Sequence, residues 1–300
     1  MEEFKSGFVS IIGRTNVGKS TLINALVKEK VAAVANKTQT TRTQIKAIVN
    51  RPNSQIIFID TPGIHKPKSK LGETMVETAF GAISDVDVIV FLIEATSEEI
   101  GRGDSRILEK IKEANKKTIL VINKTDLVKK EKILNLINIY SKEYQFEAVI
   151  PMEAVNGKNC DVLLDEIEKL LKPGPAYYDV EEYTDQTVRQ LVEEIVREKA
   201  LRLLQDEVPH GIYVEVEKLK TARTREKDDI YYNIEVSIYC LRDSHKGIII
   251  GKNGEMLKKI GIYARQDLEK MLGAKVNLKT WVKTKKDWLN QDSIVKKFKF

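Results

Sequence analysis

Residues 13–20, Gly-Arg-Thr-Asn-Val-Gly-Lys-Ser, fit the pattern G-x-x-x-x-G-K-[ST]. An apolar run at 8–13 precedes them, and a helical pattern through 22–26 follows. Glycines at these spacings let the chain curl so that its N–H groups face an anion, and the next helix adds the positive end of its dipole. Lys19 could then reach the β- and γ-phosphates of a nucleotide, and the Ser20 hydroxyl could ligate Mg²⁺. The pattern predicts a nucleoside-triphosphate site, against the alternative of a glycine-rich turn without a ligand.

A second polar segment, Asp60-Thr61-Pro62-Gly63, follows the apolar run 56–60. Ligands of open α/β sheets bind at the carboxyl ends of strands, which suits Asp60 for holding Mg²⁺ and the Gly63 N–H for sensing a γ-phosphate. In isolation this sequence is a common turn. The polar stretch 39–42 could close on the metal when the γ-phosphate is present. Thr41 is favoured over Thr40 for that role, and the choice between them stays open.

The third segment, Asn123-Lys124-Thr125-Asp126, selects the base. The carboxylate of Asp126 can accept hydrogen bonds from N1–H and from the 2-amino group of guanine, and adenine offers neither donor. Leaving a buried carboxylate unpaired is costly, so the segment predicts strong preference for guanine. An N-cap role for Asp126 is the alternative. No glutamine follows Gly63 to orient water, so we expect slow hydrolysis that relies on positioning and charge neutralisation, and His65 is expected to be solvent-exposed.

Short apolar runs that alternate with amphipathic helical patterns predict a mostly parallel, doubly covered sheet for residues 1–172. The predicted strands are 8–13, 45–49, 56–60, 86–94, 118–123 and 148–151, and the predicted helices include 74–84, 104–114, 131–140 and 161–171. Pro173-Gly174-Pro175 should end this domain, with a linker at 173–183. The domain predicted for 184–300 begins with a helix over 184–206, capped by Thr184 or Asp185. Strands at 212–220 and 230–241, a helix over 256–272 and a strand at 275–282 follow, which makes an α+β domain.

The net charge of +6 is uneven, since residues 241–300 carry 15 Lys and Arg but 6 Asp and Glu, a net charge of +9. Within this basic region, Ile-Ile-Ile-Gly-Lys-Asn-Gly at 248–254 is expected between a strand and a helix. A G-x-x-G turn lets a nucleic-acid backbone approach closely, and the apolar residues before it form a floor for about four single-stranded nucleotides. The RNA contacts predicted are Ile250, Gly251, Lys252, Asn253, Gly254 and Lys258. A turn without a ligand is the alternative.

Further basic residues should add salt-dependent attraction to phosphates. They are Lys259, Lys275, Lys279, Lys283, Lys285 and Lys286. Trp281 and Trp288 could stack on bases, but roles in the core or in docking are favoured.

The nucleotide motifs, in this order, resemble the translation-factor-related GTPases over about the first 170 residues. Residues 248–254 resemble a KH domain, and the order helix–strand–strand–helix–helix–strand matches its bacterial, type II variant. The combination resembles the Era family of GTPases, with GRTNVGKS, QTTR, DTPGIHKPKSKLG, NKTD and HKGIIIGKNG as the matching pieces. Thr15 stands where that family usually has proline. Glu153 replaces a usual serine, which puts the base pocket in doubt, while Ala154 would keep a backbone contact with guanine.

This resemblance implies binding to the 3′ end of small-subunit ribosomal RNA, a part in assembling that subunit, and peripheral association with the inner face of the membrane. It also implies a K⁺ held by Asn16. The complete set of predicted nucleotide contacts is Gly13, Arg14, Thr15, Asn16, Val17, Gly18, Lys19, Ser20, Thr21, Asp60, Thr61, Pro62, Gly63, Ile64, Asn123, Lys124, Thr125, Asp126 and Ala154. The residues predicted to carry hydrolysis are Lys19, Thr41, Asp60 and Gly63, and those predicted to hold Mg²⁺ are Ser20, Thr41 and Asp60.

Composition narrows the classes of protein to which the chain could belong. An apolar share of 42% is ordinary for a globular chain, and no apolar run approaches the roughly 20 residues that span a bilayer. No secretory signal is visible, and the two cysteines lie in different predicted domains, so we expect a cytoplasmic monomer. Two competing functions remain. One is an RNA-binding protein with a vestigial nucleotide site, and the other is a GTPase in RNA modification, which would need a reactive site such as a cysteine cluster.

Overall fold

The computed structural model describes residues 3–35, 37, 40–223 and 230–298. The chain divides into two units. The first comprises Met1–Ala32, Thr41–Asp185 and Lys296–Phe300, and the second comprises Ala33–Thr40 and Gln186–Val295. Each unit has its own hydrophobic core.

The first unit is built on a seven-stranded sheet with the order β2-β3-β1-β4-β5-β6, and β7 pairs with β1. The strands are β1 (Lys5–Ile12), β2 (Ile45–Arg51), β3 (Ser54–Asp60), β4 (Val88–Glu94), β5 (Lys117–Asn123), β6 (Ala148–Pro151) and β7 (Lys172–Pro173). The pairings are parallel except for β2 with β3 and β7 with β1. This arrangement confirms the predicted mostly parallel sheet.

Helices cover both faces of this sheet. They are α1 (Lys19–Val27), α2 (Lys70–Ser84), α3 (Arg102–Ala114), α4 (Lys130–Glu143) and α5 (Cys160–Leu170). The strands are buried on both sides: in β4, Val90 packs into one core cluster and Phe91 into the other, and both are fully buried. A strand covered on both faces needs a continuous apolar run rather than an alternating one, which is why these strands could be predicted from sequence.

Residues 173–183 are not a free linker. Lys172–Pro173 forms β7, and the Gln55 side chain donates to the Tyr178 carbonyl at 2.8 Å and accepts from the Tyr177 and Tyr178 amides at 2.7 and 3.0 Å. Proline and glycine end the last helix there, as predicted. A buried polar side chain nevertheless holds the segment in the first unit, so the division falls between Asp185 and Gln186.

The second unit contains α6 (Val188–Leu203), β8 (Tyr213–Arg223), β9 (Ile230–Cys240), α7 (Asp243–Ile250), α8 (Glu255–Leu272), β10 (Lys275–Thr284) and α9 (Asp292–Val295). Its three-stranded sheet has the order β10-β9-β8, with β10 parallel and β8 antiparallel to β9. The helices pack on one face of this sheet, where Val192, Ile260 and Val276 share one core. The order helix–strand–strand–helix–helix–strand is the one that the resemblance to a KH domain implies, whereas the residue pattern alone predicted α8 but not α7.

Two predicted details of this unit were wrong. Helix α6 begins at Val188, not at 184, because Thr184 lies in a bridge with Ala47 and its hydroxyl donates to the Lys46 carbonyl. Thr187 caps α6 in a capping box with Gln190. The G-x-x-G turn lies between two helices, α7 and α8, and does not follow a strand directly. Among the described residues, no helix has the length and apolar composition needed to cross a bilayer.

Candidate nucleotide and RNA sites

The loop at 13–20 is shaped by close backbone contacts. A Cβ on Gly13 would lie 2.4 Å from the Leu92 carbonyl oxygen, and one on Gly18 would lie 2.3 Å from Asn123 Nδ2. Gly18 has a φ of 105° and Asn16 a φ of 65°, both in the left-handed region that favours glycine and asparagine. Helix α1 begins immediately afterwards, so its first N–H groups point into the loop.

Lys19 is buried in this loop, with 6% of its surface exposed. Its Nζ donates to the Gly13 carbonyl at 3.1 Å and to the Arg14 carbonyl at 2.9 Å. Burial lowers the pKa of Lys19 to about 8, and the negative charge of Asp60 acts in the opposite direction. An ammonium held only by neutral carbonyls is a strong attractor for an anion such as a phosphate.

Three side-chain oxygens converge next to Lys19. Ser20 Oγ lies 2.8 Å from Thr41 Oγ1 and donates to Asp60 Oδ2 at 3.0 Å, and Thr41 Oγ1 donates to the same carboxylate oxygen at 3.2 Å. Asp60 and Thr41 are buried. The Thr40 hydroxyl instead donates to the Lys37 carbonyl at 2.7 Å. Hydroxyl and carboxylate oxygens are the donor set that Mg²⁺ prefers, so these residues fit the metal.

The Asp60–Gly63 segment lies against the phosphate loop. Thr61 Oγ1 donates to the Ile11 carbonyl at 2.8 Å, and the Ile64 amide donates to the Gly13 carbonyl at 3.2 Å. A Cβ on Gly63 would lie 2.7 Å from Thr15 Cγ2 and 2.8 Å from Thr15 Cα, so only glycine permits this approach. His65, expected to be exposed, is half-buried, with Nδ1 2.9 Å from the Gly63 carbonyl.

Asn123 connects the phosphate loop to the base-recognition segments. Its Nδ2 donates to the Val17 carbonyl at 2.9 Å, and its Oδ1 accepts from the Ala154 amide at 3.0 Å. Thr125 Oγ1 donates to the Met152 carbonyl at 3.0 Å, and Lys124, with a φ of 62°, pairs with Glu94 at 2.7 Å. The loops predicted from four separate segments are therefore tied into one structure.

Asp126, Ala154 and Glu153 of the predicted base pocket have exposures and contacts that the sequence alone did not reveal. Asp126 was expected to be buried, but it is exposed at the one-turn helix Thr125–Leu127. The Ala154 amide, predicted to contact guanine, donates to Asn123. Glu153 is turned into its own loop, where it bonds to Lys158 at 2.7 Å, and this bond lowers the pKa of the Glu153 carboxyl.

One further contact of the loop was missed from sequence. Arg14 Nε donates to Asp104 at 3.0 Å, and Arg14 NH2 donates to Ser97 Oγ at 3.1 Å. Asp104 is fully buried. Burial raises the pKa of its carboxyl, and Arg14 opposes that rise. Asp104 lies in the first turn of α3, where an acidic residue is ordinarily explained by the helix dipole, so its sequence gave no sign of this pairing.

The G-x-x-G turn lies open at the start of α8. Gly251, Asn253 and Gly254 have φ values of 72°, 53° and 78°. A Cβ on Gly251 would lie 2.8 Å from Met256 Cβ, whereas nothing lies within 4 Å of one on Gly254. Lys252, Asn253 and Lys258 are exposed, as a contact with a nucleic-acid backbone requires.

The apolar floor before the turn was predicted only in part. Ile250 is half-buried and Ile249 fully buried, while Ile248 is 51% exposed. An exposed isoleucine beside the turn extends the apolar surface, and the helix α7 that presents it was not predicted. Trp288 is fully buried and donates from Nε1 to the Gly211 carbonyl at 2.9 Å, so its favoured core role is confirmed, whereas Trp281 is 42% exposed.

Fold and site together define a phosphate-loop GTPase joined to a KH domain. Residues 8–124 match the family described as 50S ribosome-binding GTPase, and residues 207–289 match the KH domain family. GTPase Era of Thermoanaerobacter sp. (strain X514) is 50% identical over 98% of this chain and 95% of its own length. GTPase Era of Clostridium perfringens (strain ATCC 13124) is 51% identical over 98% of this chain and 97% of its own.

Two solved structures agree with this likeness. One is Era in complex with MgGDPNP and nucleotides 1506–1542 of 16S ribosomal RNA, with a TM-score of 0.93 and 40% identity over 98% of both chains. The other is a variant of Aquifex aeolicus Era bound to GDP and AlF4⁻, with a TM-score of 0.93 and 40% identity over 98% of this chain and 99% of that one. The chain belongs to the Era family of GTPases and hydrolyses GTP with Mg²⁺ as cofactor.

Proposed function

We propose that this chain acts in assembly of the small ribosomal subunit, binding GTP in its first unit and the 3′ end of 16S ribosomal RNA in its second. The relative with a TM-score of 0.93 holds nucleotides 1506–1542 of that RNA, which supports the choice of RNA. The observation that carries the nucleotide half is the convergence of Ser20, Thr41 and Asp60 within 3.2 Å of one another beside buried Lys19.

In the proposed site, Lys19 neutralises charge on the β- and γ-phosphates. Ser20, Thr41 and Asp60 hold Mg²⁺ directly or through water, and that ion supplies charge neutralisation on the transferring phosphate when it is bound. The Gly63 amide senses the γ-phosphate. Ile64, which follows Gly63, is buried and cannot orient water. Intrinsic hydrolysis is therefore slow, and positioning supplies most of the acceleration.

The segment before Thr41 offers a physical basis for coupling between nucleotide binding and RNA binding. Ala33–Thr40 belongs to the second unit, where Glu198 accepts from the Val34 amide at 3.1 Å and Arg202 Nε donates to the Val34 carbonyl at 2.9 Å. Arg197 donates to the Thr40 carbonyl. Glu198 is fully buried. Helix α6 therefore holds this segment at both ends, and the next residue along the chain is Thr41.

A line of charged contacts continues from α6 to α8. Glu198 pairs with Lys199 at 3.2 Å, and Lys199 pairs with Asp267 of α8, the helix that starts at the G-x-x-G turn. We propose that RNA at the turn and nucleotide at Thr41 are coupled through this line. Coupling between two binding sites is reciprocal. If bound nucleotide changes the affinity for RNA, bound RNA must change the affinity for nucleotide by the same factor.

We also propose that Asn16 holds a K⁺ beside the phosphates, since it is exposed in the loop with a φ of 65°. A monovalent cation there would add positive charge beside the phosphates, where Arg14 is engaged by Asp104 instead. Hydrolysis should then be at least several-fold faster in potassium than in sodium buffer, and Asn16→Ala should lose that difference. Equal rates in the two buffers would remove the proposal.

By family resemblance, we propose a cytoplasmic monomer that associates peripherally with the inner face of the membrane. Sedimentation with anionic lipid vesicles tests the membrane association, and a chain that stays in the supernatant at physiological salt contradicts it. The alternative function in RNA modification finds no support. Cys160 and Cys240 are separate, buried and free, and burial raises the pKa of both thiols, so neither is a ready nucleophile.

Two matched pairs of variants test the proposed function. Thr41→Ala should slow Mg²⁺-dependent hydrolysis about tenfold or more by removing an oxygen next to Ser20 and Asp60, while Thr40→Ala should leave it within about twofold. Gly254→Asp adds a negative charge at the G-x-x-G turn and should weaken binding to the 16S 3′-end RNA at least tenfold. Gly273→Asp is its control. Gly273 is also left-handed (φ 60°) with open space around it, and it lies at the far end of α8.

The outcomes separate the two halves of the proposal. If Thr40→Ala and Thr41→Ala behave alike, the assigned metal site is wrong. If Gly254→Asp binds RNA as Gly273→Asp does, the RNA site lies elsewhere. For the coupling, Glu198→Gln should reduce the effect of RNA on hydrolysis and leave RNA affinity measured without nucleotide unchanged. If RNA changes the hydrolysis rate of this variant as much as that of the wild-type chain, the proposed coupling is contradicted.

A further inference from the structure

Helices cover one face of the sheet of the second unit, and on the other face Trp288 packs against Tyr213 of β8 while the side chains of β10 are exposed. Along β10 the side chains of one face, such as Val276 and Val282, lie in the core. Those of the other face are all exposed, and we call them the β10 stripe: Lys275, Asn277, Lys279, Trp281 and Lys283. Strand β10 is at the edge of the sheet, so the stripe is accessible from the face and from the side.

Positive charge is concentrated on this edge. Residues 275–286 contain five lysines and no acidic residue. The same face also carries acidic side chains: Glu217 of β8 pairs with Lys283 at 2.7 Å, and Glu235 of β9, which lies opposite Lys279, pairs with Lys218 at 3.5 Å. Lys275 and Lys279 are exposed lysines on the outermost strand. A polyanion is therefore the partner that complements this edge.

Trp281 stands between Lys279 and Lys283 on the same face, opposite the fully buried Ser237. Trp281 is 42% exposed as a residue, whereas the other tryptophan of the unit, Trp288, is completely buried. An exposed aromatic ring flanked by lysines along a strand is the composition of single-stranded nucleic-acid platforms, where bases stack on the ring and lysines follow the backbone. A strand rises about 3.3 Å per residue, so the stripe spans roughly 26 Å, enough for several nucleotides.

The stripe is separate from the G-x-x-G turn. Helices α7 and α8 carry the turn and contribute Ile249 and Ile260 to the core shared with Val276 and Val282. The turn therefore belongs to the covered side of the sheet and the stripe to the opposite side. A strand of RNA in the G-x-x-G groove would have to pass around the edge strand to reach Trp281.

We propose that the β10 stripe is a second RNA-binding surface, which takes a single-stranded segment on the side of the sheet opposite the G-x-x-G turn. The proposal rests on the RNA binding proposed above and adds to it a second contact with the same RNA. Its charge favours RNA over a protein partner, since the free charge of the stripe is all positive and its aromatic ring stands among lysines.

Tryptophan fluorescence reports directly on this surface. The chain has two tryptophans, and only Trp281 is exposed, so acrylamide should quench Trp281 selectively in the full chain. Titration with a 16S 3′-end RNA longer than the groove-binding segment should quench the same emission and protect it from acrylamide. Trp281→Phe should remove the signal without preventing RNA binding. A short oligonucleotide that fills only the G-x-x-G groove should leave the emission unchanged.

Variants then measure the contribution of the stripe to affinity. Trp281→Ala should weaken binding to the long RNA about tenfold, as loss of one stacked base does, and leave binding to the short oligonucleotide unchanged. Lys279→Glu should lower the slope of log affinity against log salt by about one. Lys270→Glu, at an exposed lysine in the last turn of α8, controls for charge, and Tyr263→Ala, at an exposed tyrosine of α8, controls for loss of a ring.

The outcomes distinguish this inference from the function on which it rests. If the wild-type chain binds neither RNA, the proposed function fails. If it binds both RNAs but Trp281 emission and affinity are unaffected by the stripe variants, the second surface is wrong and the groove alone binds RNA. If acrylamide fails to reach Trp281 in the free full chain, the surface is covered by protein and the inference is overturned.

Discussion

The phosphate loop and the G-x-x-G turn are the two glycine turns on which function depends, and they are held in opposite ways. Both use left-handed residues, Asn16 and Gly18 in the first and Asn253 and Gly254 in the second. Gly18, however, faces Asn123 Nδ2 at a distance that excludes a Cβ, whereas nothing lies within 4 Å of the position a Cβ would take on Gly254.

The difference follows from what each turn binds. A phosphate loop must hold several N–H groups in a fixed arrangement around one anion, so neighbouring segments brace it, with Asn123 on one side and Arg14–Asp104 on the other. A turn that clamps a flexible RNA backbone must stay open for a partner to lie along it. Glycine serves close packing in the first case and approach of the ligand in the second.

The largest expected effect is that of Lys19→Ala, which removes the buried ammonium from the braced loop. Hydrolysis should fall at least about 100-fold, because the other positive side chain of residues 13–20, Arg14, is engaged by Asp104 and Ser97. RNA affinity measured without nucleotide should be unchanged. Lys110→Ala, at an exposed lysine of α3, is the control. Near-normal turnover in Lys19→Ala would mean that the loop does not work by the proposed charge neutralisation.

A pair of alanine substitutions compares the two turns directly. Gly18→Ala should lower the free energy of unfolding of the first unit by about 3 kcal/mol, since a strained φ is added to the loss of the Asn123 contacts. Gly254→Ala should cost the second unit only about 1 kcal/mol, the strain of a left-handed alanine. Urea unfolding followed separately for each unit measures both. Equal costs would mean that the turns are equally braced.

The smallest effect is expected from Asn16→Gly and Asn253→Gly. Both asparagines already have positive φ values, so glycine relieves a little strain and adds a little unfolded-state entropy. Each change should shift the free energy of unfolding by less than about 1 kcal/mol. Thermal melting is sufficient to test this. A loss above about 2 kcal/mol in either variant would show that the asparagine side chain, rather than the backbone, holds that turn.

The sequence predicted those parts of the fold where the residue pattern is compatible with only one structure. Continuous apolar runs such as Val88–Glu94 become strands because both of their faces are buried, and the glycine and lysine spacing of the phosphate loop has few structural equivalents. The convergence of Ser20, Thr41 and Asp60 could be expected for the same reason. The sequence favoured Thr41 but left the choice open, and in the structure the Thr40 hydroxyl bonds elsewhere.

Features that depend on contacts between distant segments could not be predicted. Gln55 holds residues 177 and 178 in the first unit, which a proline and glycine pattern cannot reveal. The pairing of Arg14 with Asp104 joins residues 90 positions apart. Helix α7 was missed because Asp243–Ile250 is short and ends in three isoleucines, a composition equally suited to a strand. A local sequence pattern does not contain the contacts between distant residues, or the packing of short segments, that determine these features.

Trp288 has a consequence for how the protein is made. It is fully buried, donates to the Gly211 carbonyl and packs edge-on at 4.7 Å against Tyr213, the first residue of β8. Packing of the second unit is thus completed by Trp288, which is synthesised some 75 positions after the start of β8, the strand that it covers. A nascent chain still on the ribosome can complete its nucleotide-binding sheet early, but it cannot finish the RNA-binding half until residue 288 has emerged, so the two activities are acquired in sequence during translation.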